Sequence, residues 1–293
     1  MSSTEHAIGA APSSRGLVRS TLRMSGLCVA FLTVCVWALL GVFPLYWAIV
    51  TSLKSGSSVA QLPPKWIPTP FSLGSWKELF NQPYVLRWVF NSVIVATVST
   101  AGTVLFSTMA GYAFAKGRFA GQRILFAVVI AMLMVSSQVL IVPLFIIMRD
   151  VHLLDSYLGL ILPGLASPFA VFLAKQFIQT LPNEIFDAAR VDGSSEVGIF
   201  FRMVMPLSRP VMAIIAIFSF LSNWSEFIYP LIITTSDEMR TLPVGLTLLQ
   251  DQFSINYSLL MAAALLTAAP PLIIFLIMQR SLVKGMTFGA VKG

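Results

Sequence analysis

Long apolar runs punctuated by short charged stretches dominate the chain. Between Arg23 and Lys54 lie 30 residues without Asp, Glu, Lys or Arg; 28 lie between Arg87 and Lys116, 25 between Arg123 and Arg149, 19 between Asp155 and Lys175, and 28 between Asp251 and Arg280. A sixth run, Pro210 to Ser236, is 27 residues long and is interrupted only by Glu226. A helix needs about 20 predominantly apolar residues to cross a bilayer. The pattern therefore predicts six spanning helices, over 27–50, 90–115, 124–148, 157–177, 210–233 and 258–279. The chain reads as an all-α integral membrane protein.

Composition agrees. Of 293 residues, 57% are hydrophobic and 11% charged, against about 25% charged in soluble domains. Disorder, a collagen-like fibre and a disulfide-stapled scaffold are excluded on the same numbers. The net charge of +7 is distributed by topology and calls for no nucleic acid. With six spans both termini share one side. That side carries 13 basic residues (Arg15, Arg19, Arg23, Lys116, Arg118, Arg123, Lys175, Arg190, Arg202, Arg209, Arg280, Lys284 and Lys292) and the other carries six (Lys54, Lys65, Lys77, Arg87, Arg149 and Arg240). The positive-inside rule places both termini in the cytoplasm. The first apolar run exceeds a signal-peptide core and no A-x-A site follows it, so it is expected to be retained. Residues 1–14, rich in Ser and Ala, read as a disordered tail. Cys28 and Cys35 stand seven residues apart on a helix, about 10 Å in rise, too far for a disulfide.

The loops are unequal. The first outer loop, Lys54 to Arg87, is long, with Trp66, Trp76 and Trp88 in or beside it as interface anchors. The third outer loop, Asp237 to Tyr257, offers few hydrophobic anchors. Inner loops are short except the second, Gln179 to Arg209.

Catalytic motifs are absent. No G-x-x-x-x-G-K-[ST] phosphate cradle occurs, so the chain is not expected to bind ATP itself. His6 and His152 lie outside the spans, leaving no His/Cys/carboxylate metal cluster and no Ser–His nucleophile in the membrane. Function must rest on polar residues in spans and on the long inner loop. In the fifth span Ser219, Asn223 and Glu226 fall on one helix face, with Trp224 beside it and Tyr229 and Pro230 following. That face is either a cavity wall touching a polar substrate or a helix–helix contact. Ser136, Ser137, Gln138 and Pro143 predict a kink in the third span that either lines a path or packs. Ser99, Thr103, Ser107 and Gly111 recur every four residues in the second span, a small-residue stripe suited to helix packing.

The inner loop carries the strongest signal. Pro182 before an acidic first turn starts a helix, Gly193 ends it in a left-handed conformation, and Ser194 or Ser195 caps a second helix bearing Ile199, Phe200 and Phe201. Such an element suits a groove on another protein. A membrane-surface role suits it less, because Glu184, Asp187, Asp192 and Glu196 would be repelled by anionic lipid.

This loop resembles the E-A-A-x-x-x-G-x9-I-x-L-P signature of the membrane subunits of bacterial ABC importers. It stands here as Asp187-Ala188-Ala189-Arg190-Val191-Asp192-Gly193, nine further residues, and Met203-Val204-Met205-Pro206. Asp187 replaces the family's Glu, and Met203 and Met205 replace its Ile and Leu. Further segments are similar to the maltose-type carbohydrate group: Asn91-Ser92, Gly111-Tyr112-Ala113-Phe114-Ala115, Tyr157 to Pro163, Trp224-Ser225-Glu226-Phe227, Thr241 to Leu246, and Gly285 to Gly293. The likeness runs from about Gly41 to the end and fits the shorter, six-span subunit.

The resemblance implies the type I ABC importer permease fold: a cytoplasmic tail over 1–25, a permease domain over 26–280 containing the coupling loop 179–209, and a cytoplasmic tail over 281–293. It implies a bacterial inner-membrane subunit that pairs with a second permease, two copies of an ATPase and an extracytoplasmic solute-binding protein within membrane lipid. This chain binds no cofactor; ATP and Mg belong to the ATPases. Glu184, Asp187, Ala188, Ala189, Asp192, Gly193 and Pro206 would carry ATPase coupling. Gln138, Ser219, Asn223, Trp224, Glu226 and Tyr229 are candidates for the substrate path, and Gly289 and Lys292 for a C-terminal ATPase contact. Outer loop three would enter the binding protein's cleft. The cargo would be a sugar or oligosaccharide, with an acidic one such as alginate oligosaccharide within the group's range. The alternative is a secondary transporter or channel working alone, which would leave the docking loop without purpose.

Overall fold

The computed structural model describes residues 14–55, 59, 63–249 and 256–287, with side chains placed for 26–55, 59, 63–249 and 256–277. Gly289, Lys292 and most of the N-terminal tail lie outside the described residues. The architecture is helical: α1 (Ser14–Ser52), α2 (Gly74–Asn81), α3 (Val85–Lys116), α4 (Gln122–Met132), α5 (Ser137–Asp150), α6 (Tyr157–Leu165), α7 (Pro168–Gln179), α8 (Asn183–Val191), α9 (Glu196–Leu207), α10 (Arg209–Ser225), α11 (Ile228–Ile233), α12 (Leu242–Leu246) and α13 (Tyr257–Thr287). The described β-structure is an isolated bridge between Lys54 and Phe71, which folds the first outer loop back on α1.

Three helices are long and apolar enough to cross a membrane, Gly26–Ser52, Val85–Lys116 and Tyr257–Ile277; counting each bent pair as one span gives six. The bends are 106° between α4 and α5, 42° between α6 and α7, and 80° between α9 and α10. The third span breaks at Leu133–Ser136, not at Pro143, which sits inside α5. The fifth span is also interrupted: α10 stops at Ser225, Glu226 is extended, and α11 restarts at Ile228.

Lipid is as apolar as leucine, so spans associate through close packing of small residues. The stripe on α3 shows this: Ser99, Thr103 and Ser107 are buried, and a Cβ added to Gly111 would stand 2.6 Å from Ala174 Cβ and 2.8 Å from the Lys175 backbone nitrogen. Glycine there lets α3 and α7 touch backbone to side chain. At one end of the bundle Tyr112, Ala174, Ile178, Phe186, Phe200 and Ile215 form a core that joins the long loop to the spans. At the far end Trp88, Trp224, Leu242, Leu246 and Leu259 form another. Contrary to expectation, the segment after Asp237 is therefore well anchored. α12 buries Leu242, Val244 and Leu246, and Gly245 admits the Trp88 ring, which a Cβ would meet at 2.1 Å.

Candidate functional site

Three of these four helix interruptions, α4–α5, α6–α7 and α10–α11, meet at one cavity of about 540 Å³, within the range of small-molecule sites. Its wall includes Ser137 at the start of α5, Ser167 and Pro168 at the start of α7, and Glu226 and Ile228 around the α10–α11 break. Gln138, Ser219, Asn223, Glu226 and Tyr229 all line it, so residues far apart in sequence meet on a single surface. Trp224 does not. It is 1% exposed, stacks on Phe220 and donates from Nε1 to the Thr267 carbonyl at 2.9 Å. Adjacent helical residues point about 100° apart, so the neighbour of a wall residue faces α13 instead.

The wall mixes polar edges with aromatic faces. Asn223 donates from Nδ2 to the Ser219 carbonyl at 2.7 Å. Its Oδ1 lies 2.7 Å from where a Cβ on Gly164 would stand, so glycine at 164 leaves the amide its present place beside α6. Phe169 and Phe218 meet edge to face at 6.0 Å. Gln138 Oε1 accepts from the Ser136 hydroxyl. Among the described residues, Glu226 is the one charged residue on the wall. The helix face expected for it ends one residue earlier, and its Oε1 instead accepts the Tyr229 N–H at 3.3 Å as α11 restarts. Ser222 on the same wall was missed, although 219, 222, 223 and 226 follow the spacing of one helix face.

The long loop forms a second cluster. α8 begins after Pro182, and Gly193 has φ +78°. Gly193 N–H donates to Arg190 O at 3.0 Å and Ser194 N–H to Ala189 O at 2.9 Å, the paired closure of a Schellman ending. Ser195 caps α9 by accepting from Gly198 N. Arg190 braces the corner: Nε donates to Glu196 Oε1 at 2.7 Å and NH1 to Asp187 Oδ1 at 2.9 Å, while the Tyr112 hydroxyl donates to Glu196 Oε2 at 2.6 Å. The Arg190 bond, then that of Tyr112, holds the Glu196 carboxyl below the usual glutamate range despite burial. Lys116 donates to Leu181 O and to Asn183 Oδ1, each at 2.6 Å. Glu184, Asp187, Ala188, Asp192 and Gly193 are exposed, with Ile185, Val191 at 88% and Phe201. Ala189 is a correction: at 8% exposure it packs with Phe186 into the chain's own core, which removes it from any docking face. Pro206 lies exposed in α9 just beyond a π-helical turn, Phe200–Val204.

A third cluster sits at the far end. Asp155 has φ +53°, uncommon for a residue with a Cβ. Its Oδ1 accepts the Thr235 and Ser236 N–H groups at 3.0 and 3.1 Å, and its own N–H donates to Ile233 O at 3.0 Å. Burial pushes this carboxyl up, but the Ser236 and Thr235 donors outweigh it and hold it below the usual aspartate range. Nearby, the Tyr229 hydroxyl donates to Gly159 O at 2.7 Å, and the Tyr157 hydroxyl to Asn91 Oδ1 at 2.6 Å.

Comparison with known proteins gives these clusters a context. Residues 103–288 match the family model described as binding-protein-dependent transport system inner membrane component. The chain is 38% identical over 259 residues to the arabinooligosaccharides transport system permease protein AraQ of Bacillus subtilis, covering 87% of this chain and 92% of that one. It is 33% identical to the sulfoquinovosyl glycerol transport system permease protein SmoH of Agrobacterium fabrum, covering 92% and 95%. In fold it is similar to a chain in the crystal structure of a bacterial ABC transporter involved in the import of the acidic polysaccharide alginate, with TM-score 0.79 at 20% identity, covering 88% and 96%.

Proposed function

The chain belongs to the family of binding-protein-dependent transport system inner membrane components, and on that footing we propose that it walls one half of the path for a sugar or oligosaccharide in an ATP-driven importer. A second, related permease supplies the other half. Two ATPase subunits dock on the loop end, and a solute-binding protein delivers cargo at the far end. The 13-to-6 split of basic residues supports a cytoplasmic loop end. The observation that carries the reading is the convergence of Gln138, Ser219, Asn223, Glu226 and Tyr229 on one cavity in the membrane. Polar groups there are costly in lipid, and a wall of amide, hydroxyl and carboxylate edges beside the Phe169–Phe218 pair suits sugar hydroxyls and ring faces.

At the loop end, Glu184, Asp187, Ala188, Asp192 and Gly193, with Ile185 and Val191, form the surface offered to an ATPase groove, and Pro206 holds the return into α10. Asp187 meets this role with its carboxylate already shared with Arg190. The chain itself carries no phosphate cradle, so ATP and Mg are the partners' equipment.

Reconstituting the importer with Asn223→Ala or Glu226→Ala tests the path. Uptake should fall by roughly tenfold, the scale of one lost polar contact to a buried group, while all subunits copurify and basal ATP hydrolysis persists. Copurification failing in both variants would assign these residues to helix packing. Uptake by this chain alone, driven by an ion gradient, would remove the importer reading altogether.

A further inference from the structure

Asp155 adopts a strained left-handed conformation, and strain of this kind persists where the surroundings over-determine it. Here the surroundings are three bonds from one residue, to Ile233, Thr235 and Ser236. They lock the end of α11 to the turn between α5 and α6. Beneath that turn Leu153, Leu154, Tyr157 and Met239 pack on an apolar cluster containing Val95, Leu160 and Ile233, with Tyr229 against it. Val95, Leu160 and Tyr229 are also cavity wall. The cluster is therefore the floor of the turn and the end of the cavity at once. The Tyr229 hydroxyl, bonded to Gly159 O, is a second tie across the same seam.

We propose that Asp155 is a positioning residue that latches the far end of the cavity shut, and that opening the path toward the binding protein requires α11 to leave the Asp155 turn. This rests on the cavity being the transport path and on the far end facing outward. Asp155 does not line the cavity itself and acts through Tyr229 and the α11 backbone. Its strength comes from a carboxylate accepting two backbone N–H groups, a charge-assisted arrangement stronger than neutral pairs.

The test reads which side of the membrane reaches the cavity. Ser219→Cys, in a Cys28→Ser/Cys35→Ser background, is placed in the complete importer without nucleotide and labelled with a membrane-impermeant maleimide. Right-side-out vesicles should label slowly and inside-out vesicles quickly. Asp155→Gly keeps the left-handed turn, since glycine adopts it freely, and removes only the carboxylate. It should speed labelling from outside by roughly tenfold or more, the population change expected from losing a hydrogen bond to a charged acceptor. Asp155→Asn keeps an acceptor oxygen and tolerates the same φ but loses the charge, so its labelling should fall between wild type and Asp155→Gly. Tyr229→Phe, which loses only the bond to Gly159, should shift labelling in the same direction as Asp155→Gly and decides the matter if that variant does not assemble. Outside labelling unchanged in both variants overturns the latch. A reporter that labels from neither side overturns instead the reading of the cavity as the path.

Discussion

Gly193→Val should leave the protein in the membrane at normal level while uptake falls by roughly tenfold or more. No atom stands within 4 Å of a Cβ built on Gly193, so the new side chain meets no clash. The penalty lies in the backbone alone, at φ +78°, where a residue with a Cβ loses about 1–2 kcal/mol. That is minor for six spans held by two large cores. It is not minor for the corner. The Gly193 and Ser194 N–H groups close α8 onto Arg190 O and Ala189 O, and Arg190 reaches across the corner to Glu196. Relaxing the φ angle breaks that closure and swings α8 relative to α9. Ile185, Ala188 and Val191 would then meet an ATPase groove at the wrong angle. Solubilised mutant complexes should hold fewer ATPase subunits, and vesicles should show little uptake. Normal stoichiometry with normal uptake would mean this loop is not the coupling element.

Gly111→Val should act oppositely and remove the folded protein itself. Its Cβ would fall 2.6 Å from Ala174 Cβ and 2.8 Å from the Lys175 nitrogen. One of these atoms is backbone and the other is fixed to it, so no flexible side chain can yield. Overpacking costs about 1–3 kcal/mol in a core that can adjust, and here α3 and α7 must separate along the stripe that holds them. Tyr112, next in the chain, would carry its hydroxyl away from Glu196. Membrane extracts should contain severalfold less protease-resistant permease than wild type, whereas Gly193→Val extracts should match wild type. Full accumulation of Gly111→Val would show that this helix contact does not hold the bundle.

Features dictated by local geometry were legible in the sequence. Pro182, Gly193 and Ser195 each do what their residue type does best, and the structure places them as a helix start, a left-handed stop and a cap. Five of the six apolar runs likewise fall on the three long helices and on the bent pairs α4–α5 and α6–α7, while the fifth falls on α10 and α11, although the bent pair there joins α9 to α10. Features set by neighbours were not legible. The break in the third span ends at Ser136, within the Ser136, Ser137 and Gln138 group that suggested a kink, whereas Pro143 of the same set lies within an unbroken helix. A proline's missing N–H removes one bond, but where the chain turns is decided by what surrounds it. Trp224 and Asn223 are adjacent letters with opposite destinations. Ala189 read as a docking residue until Phe186, three positions earlier, showed which face of α8 is inward. Asp155 carried no sequence signal at all, because its conformation and its partners come from distant parts of the chain.

The helix breaks around the cavity bear on how the protein is made. Each break leaves backbone donors and acceptors that no helix satisfies, and in hydrocarbon such groups are penalised by several kcal/mol apiece. The first, second and sixth spans are continuous enough to enter lipid singly as synthesis proceeds. The third, fourth and fifth are not: their open backbone ends meet one another around the cavity, and none is complete alone. Their release into the bilayer is therefore expected to be collective, with early segments held at the insertion machinery until α10 and α11 have emerged. A ribosome stalled before Glu226 should leave the third and fourth spans crosslinking to the insertion machinery, while one stalled far enough beyond Ile233 for α11 to have emerged leaves them crosslinking to lipid.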